Sequence, residues 1–224
     1  MSGTTRLARK REKTRQALLG AARMLVSERG PEPVAIQDIT GRAGVGLGTF
    51  YNYFDSKESI FEAVLADMRV AFNASLDEVR RPVKDPAMLV AITLKYCLQQ
   101  ALDDEEWNGF VKNAGLTGEH TTLTQDREQC LADVRRGIAA GRFRVEDPTF
   151  AASLIMGMVR HAYDEIKATR MERRAIDDTI RYVLRMLGLP DAVARALIQV
   201  PMPPVAAARR TVPAAPAEPQ LLRA

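Results

Sequence analysis

Between Ile36 and Phe54 the chain reads IQDITGRAGVGLGTFYNYF, and the end of that stretch gathers hydrogen-bonding side chains. Thr49, Tyr51, Asn52 and Tyr53 follow Gly48, with Gln37 upstream and Lys57 just downstream. Hydroxyls, amides and an ammonium group at this spacing suit recognition rather than bond making, since no nucleophile and base are paired among them. An amide such as Asn52 can pair bidentately with adenine, and Thr49 can reach a base edge. The phenols of Tyr51 and Tyr53, the Lys57 ammonium and the Gln37 amide suit phosphate oxygens. Gly48 removes a side chain where backbone could approach a phosphate closely. The chemistry these residues offer is the binding of duplex DNA, provided some element presents them together.

The spacing of the apolar residues supplies that element. Ile36, Ile39 and Ala43 recur at i, i+3 and i+7 and line one helical face. Gly44 follows where a helix stop favours a residue able to take positive φ, and Val45 can anchor the turn. Leu47, Phe50 and Phe54 repeat the same spacing, which predicts a second helix with 49, 51, 52 and 53 off its buried stripe. Two helices joined by so short a turn cross steeply, as in a helix-turn-helix whose second member, here Gly48 to Phe54, enters the major groove.

These residues resemble the TetR-type bacterial transcriptional regulators. Ala43-Gly44-Val45, Gly48-Thr49-Phe50-Tyr51, Tyr53-Phe54 and Ser56-Lys57-Glu58 stand in that family's order and spacing. The likeness is specific over about residues 12 to 65 and architectural from 66 to 190. Three positions depart from the pattern. Ala35 and Gly46 stand where the family usually has hydroxyl caps, and a missing cap costs about 1 kcal/mol. Leu47 stands where a basic residue is common.

Composition and charge agree with this reading. The 224 residues are 46% hydrophobic and 27% charged, as in an ordinary globular protein. No apolar run approaches the ~18 residues a membrane helix needs, and the basic N-terminus lacks the apolar core of a secretory signal. Cys97 and Cys130 are expected as free thiols of a reducing cytoplasm, and two Cys and two His so scattered predict no metal site. The net charge of +4 is concentrated at one end. Arg6, Arg9, Lys10, Arg11, Lys13 and Arg15 against Glu12 leave +5 in the first fifteen residues and −1 elsewhere. A basic arm of this kind, Arg9 and Arg11 included, can contact phosphate and release counterions.

Taken in order, the chain predicts a basic disordered arm over 1–13 and a helix-turn-helix domain over 14–56. A helical ligand-binding and dimerisation domain follows over 57–200, and a disordered Pro/Ala-rich tail over 201–224. Leu18, Ala21, Ala22 and Leu25 mark a first helix stopped by Gly30-Pro31. Asp55 and Glu58 form a capping-box-like pair opening a long helix that runs to Val79. From Ala87 to Leu102 apolar residues fall on nearly every side, so that helix is buried or lines a cavity. The fold class is therefore all-α: an N-terminal three-helix DNA-binding domain plus a C-terminal helical bundle.

No glycine-rich phosphate loop or nucleophile motif is present, so neither an enzyme nor a cofactor is expected. Phe72, Met88, Cys97, Trp107, Phe110 and Met156, with His161, are candidate lining of a ligand pocket between helices. The resemblance implies a small-molecule effector here whose binding lowers DNA affinity, and the sparse polar groups favour a largely apolar molecule. It also implies that the last two strong helices pair with their copies in a homodimer, through Leu154, Met158, Ile180, Val183, Leu184 and Leu187. A ligand-independent activator or nucleoid-type DNA binder is the alternative.

Overall fold

In the computed structural model of the chain, residues 3–103, 122–168 and 173–203 are described. Trp107 and Phe110 of the expected pocket, and the tail beyond Pro203, lie outside them. The described residues form nine helices and no strand. They are α1 (Gly3–Arg29), α2 (Ile36–Ala43), α3 (Leu47–Tyr51), α4 (Lys57–Arg80), α5 (Pro86–Asp103), α6 (Thr122–Ala139), α7 (Pro148–Lys167), α8 (Arg173–Met186) and α9 (Asp191–Gln199).

Two main cores organise these helices. In the N-terminal unit Leu18, Ala22, Leu25 and Val26 of α1 pack with Ile39 of α2, Phe50 of α3 and Ile60 and Val64 of α4. In the C-terminal domain Leu94 and Leu98 of α5 pack with Ile155 of α7, Ile180, Val183 and Leu184 of α8 and Ile198 of α9. Helix α5 is buried on most sides, and its Ile92 and Tyr96 form a smaller cluster with Val79 near the end of α4. Helix α4 thus contributes Ile60, Val64 and Met68 to the first core and Val79 to that cluster. It is the rod that joins the N-terminal unit to the rest.

Local chemistry fixes the helix ends. Asp85 Oδ1 accepts from the Met88 amide at 2.8 Å, and Asp147 Oδ1 accepts from those of Thr149 (2.8 Å) and Phe150 (3.0 Å). Each Asp-Pro pair therefore opens a helix with a carboxylate on its free amides. Gly137 on α6 is needed for another reason. A Cβ there would collide with the ring of Phe143, the buried aromatic of the link to α7.

Two expectations change. The stretch 3–13 is not an irregular arm: α1 begins at Gly3, and Arg6 to Lys13 form exposed helix. Arg and Lys are good helix formers, and nothing between them and the buried part of α1 breaks the helix. The start of α4 is also capped one residue later than the Asp55/Glu58 spacing suggested. Ser56 Oγ accepts from the Ser59 amide at 3.1 Å, and Ser59 Oγ accepts from the Ser56 amide at 3.2 Å.

Candidate nucleic-acid interface

Helix α2 ends where its sequence required. Gly44 takes φ 67°, and the Val45 amide returns to the Thr40 carbonyl at 3.0 Å. This left-handed step turns the chain into α3 and lets Val45 tuck, half-buried, against the core. Ala35 supplies no capping hydroxyl, but Asp38 compensates in part. Its Oδ2 accepts from the Ala35 amide at 2.9 Å and pairs with Arg29 of α1 at 3.0 Å. The amide of Ala35, with the Arg29 charge beside it, holds the Asp38 carboxyl below its usual value. A second tie, Arg42 to Glu28 at 2.8 Å, fastens the other end of α2 to α1.

Helix α3 has five residues, too few to persist alone, so tertiary contacts must hold it. Phe50 does most of this. It is fully buried, with its ring 5.4 Å from that of Tyr51 and 5.8 Å from that of Phe54. The helix ends at Tyr51 rather than Phe54, and Asn52 and Tyr53 lie in the turn that follows. Gly48, Tyr51 and Asn52 are exposed, as is Gln37 on α2, while Thr49 and Tyr53 are half-buried. The anchored ring thus presents hydroxyl and amide groups on one outer face.

Leu47 was expected on the buried stripe, but it is 43% exposed. As the first residue of α3 it overhangs the core, and its spacing to Phe50 could not reveal that. It adds an apolar group suited to a thymine methyl beside the polar ones.

The cations are placed less uniformly. Arg9 and Arg11 lie on the exposed part of α1, and the Arg11 guanidinium stands 5.8 Å from the centre of the Tyr53 ring. Lys57 is half-buried, and its ammonium donates to the carbonyls of Pro31 (3.1 Å) and Glu32 (3.3 Å). An ammonium has three donors, so this link to the α1–α2 connection leaves one for a phosphate.

Of the residues expected to line an effector pocket, Phe72, Met88, Cys97, Met156 and His161 are among those described. Phe72 and Met88 pack beside Tyr96, with the Phe72 and Tyr96 rings 5.4 Å apart. Met88 also lines a surface cleft of about 370 Å³ with Pro82, Val83, Ile92 and Val200. Met156 is half-buried, and His161 is exposed on α7. Cys97 and Cys130 are free, and burial pushes their thiols up to about 12 and about 11. Among the described residues no group of three His, Cys, Asp or Glu could hold a metal, and no helix is long and apolar enough to cross a membrane.

The expected dimer surface also needs correction. Ile180, Val183, Leu184 and Leu187 have no exposed surface and fill the chain's own core. Met158 is half-buried against that core, whereas Leu154 is 40% exposed. Exposed residues of these helices include Phe150, Leu154, Gly157 and His161 on α7 and Tyr182 on α8, alongside the charged Arg160, Asp164, Asp178 and Arg185.

Two family models match the chain. Residues 18–64 match the bacterial regulatory proteins of the tetR family, and residues 85–199 match the tetracyclin repressor-like C-terminal domain. The chain belongs to the TetR family. As a TetR-family transcriptional regulator it carries the helix-turn-helix of that family in α2 and α3.

A crystal structure of RolR in complex with the ligand resorcinol is 32% identical, with a TM-score of 0.66, over 88% of this chain and 99% of that one. The transcriptional repressor KstR2 of Rhodococcus jostii is 29% identical over 58% of this chain and 68% of its own. An uncharacterised regulator of Mycobacterium tuberculosis, Rv1255c, is 28% identical over 94% of this chain and 96% of its own.

Proposed function

We propose that this TetR-family regulator is a cytoplasmic, homodimeric repressor that a small, largely apolar ligand releases from a near-palindromic operator. The exposed polar face of α3, pinned from behind by Phe50, carries the DNA part of this reading. Each subunit lays α3 in a major groove, where Thr49 and Asn52 meet base edges and Leu47 meets a thymine methyl. Tyr51, Tyr53, the free donor of Lys57, Gln37 and the backbone at Gly48 hold phosphates. Arg9 and Arg11 extend that contact along the helical N-terminus.

The dimer brings two such heads to half-sites about one helical turn apart or a multiple of it. The outward residues of α7 support this. Phe150, Leu154, Gly157 and His161 recur at spacings of four, three and four, and Phe150 is 62% exposed. With the exposed Tyr182 of α8, Phe150 and Leu154 offer apolar surface that another copy can cover.

The effector acts by binding the DNA-incompetent arrangement more tightly than the competent one. Because RolR was crystallised with resorcinol, small phenols are the first class to try. The test is a preformed complex with duplex enriched from a random pool, followed by fluorescence anisotropy while resorcinol and related phenols are added at fixed salt. Saturable release supports the reading. Unchanged anisotropy across the phenols removes that effector class, and a failure of any duplex to enrich removes the repressor reading itself.

A further inference from the structure

Helix α4 ends on Arg80, and that residue is clamped. Its Nη1 donates to Thr93 Oγ1 of α5 at 2.7 Å and to Asp133 Oδ2 of α6 at 2.9 Å, and its Nη2 donates to Asp133 Oδ1 at 2.9 Å. Gln129, one turn earlier on α6, donates its amide to the same Oδ1 at 3.2 Å. The Asp133 side chain is only 5% exposed and that of Arg80 12%. A second pair, Arg69 with Asp126 at 3.5 Å, joins the same two helices. Residues 69 and 80 are eleven apart and residues 126 and 133 seven apart, so each set lies on one face of its helix. The two pairs form a charged seam between α4 and α6.

Stability alone does not call for such a seam. Apolar residues of similar volume in place of a buried ion pair are often neutral or stabilising. What a two-pronged guanidinium–carboxylate pair adds is direction, because both planes and both bonds must align. Its position gives that direction a use. The other half of α4 is built into the core of the DNA-reading unit through Ile60, Val64 and Met68. A small change of angle or register at Arg80 is therefore carried to α3 at the far end of a rod of 24 residues.

We infer that Arg80 and Asp133 are positioning residues for DNA binding: their paired side chains set the angle and register of α4 on the C-terminal domain, and through it the separation of the two reading heads. This inference rests on the dimeric, DNA-reading function proposed above.

The test uses the full chain and three duplexes: the enriched operator, and two versions with one base pair added or removed between its half-sites. Single substitutions strand a charge and lose stability, so the double variant Arg80→Met/Asp133→Leu carries the argument. We expect it to melt as the wild type does and to bind random duplex unchanged. Its preference for the correct spacing should fall about tenfold, within the roughly 5–150-fold range of couplings between sites.

A double variant that is folded and keeps the wild-type preference within about twofold overturns the inference. If the double variant does not fold, Arg80→Lys is read in the same way. It keeps the charge but loses the fork, so retained discrimination in that variant overturns the inference as well. A wild type that enriches no operator is a separate failure, of the DNA-reading function and not of the clamp.

Discussion

Removing the Phe50 side chain should detach the recognition helix while sparing the C-terminal domain. The ring is fully buried in the N-terminal core and touches the rings of both Tyr51 and Phe54, so Phe50→Ala leaves a large cavity behind a helix of five residues. Phe→Ala in a core costs about 3–5 kcal/mol, against about 5–15 kcal/mol for a whole domain. The core around Phe50 is distinct from the one around α5, α7 and α8, so the loss stays in the DNA-reading unit. Where the whole loss falls on the docking of α3, a helix too short to persist alone, 3 kcal/mol corresponds at about 1.4 kcal/mol per tenfold to at most roughly 100-fold weaker operator binding. Urea titrations followed by circular dichroism, with anisotropy on labelled operator, would measure both. Leu47→Ala is the control on the same helix. Leu47 is partly exposed, so its loss should weaken the operator yet leave stability within about 0.5 kcal/mol. A Phe50→Ala protein within about 1 kcal/mol of wild type, binding its operator within threefold, would refute the view that this ring holds the helix.

Two shorter predictions concern the rest of the chain. The Asp38 carboxyl is held below its ordinary value of 3.8 by the Ala35 amide and Arg29. Its contribution is thus fully present above pH 3.8 and fades as pH falls through the lower native value. Asp38→Asn should flatten that part of the acid-unfolding curve, and a variant curve parallel to wild type below pH 4 would dismiss this role. Leu154→Asp with Tyr182→Asp places charge on the exposed apolar surface of α7 and α8. Sedimentation should then give one chain of 24.8 kDa instead of twice that mass, and an unchanged mass would move the interface elsewhere.

The helix-turn-helix was legible because its signals are local. Ile39 and Phe50 are buried as their spacing required, and Gly44 takes the positive φ that its place predicts. What was missed depends on who covers a face. An apolar stripe shows that Ile180, Val183, Leu184 and Leu187 are covered, not whether the cover is the chain's own core or a second copy. The same limit applies to Leu47, whose exposure follows from its place at the start of α3. Ser56 and Ser59 offer the same three-residue spacing as Asp55 and Glu58, so pattern alone cannot choose between them. The Arg80–Asp133 clamp joins residues 53 apart, and no local signal announces it.

The central claim is that two copies of α3 read a symmetric site. Selection of bound duplexes from a random pool, at a stated salt concentration, tests it directly. An enriched inverted repeat with half-sites about one turn apart or a multiple is the expected result. In the same assay Asn52→Ala should relax one base position, while Tyr51→Ala weakens all sequences alike. No enrichment, with binding that vanishes steeply as salt rises, would leave only a nonspecific cationic helix and contradict the account.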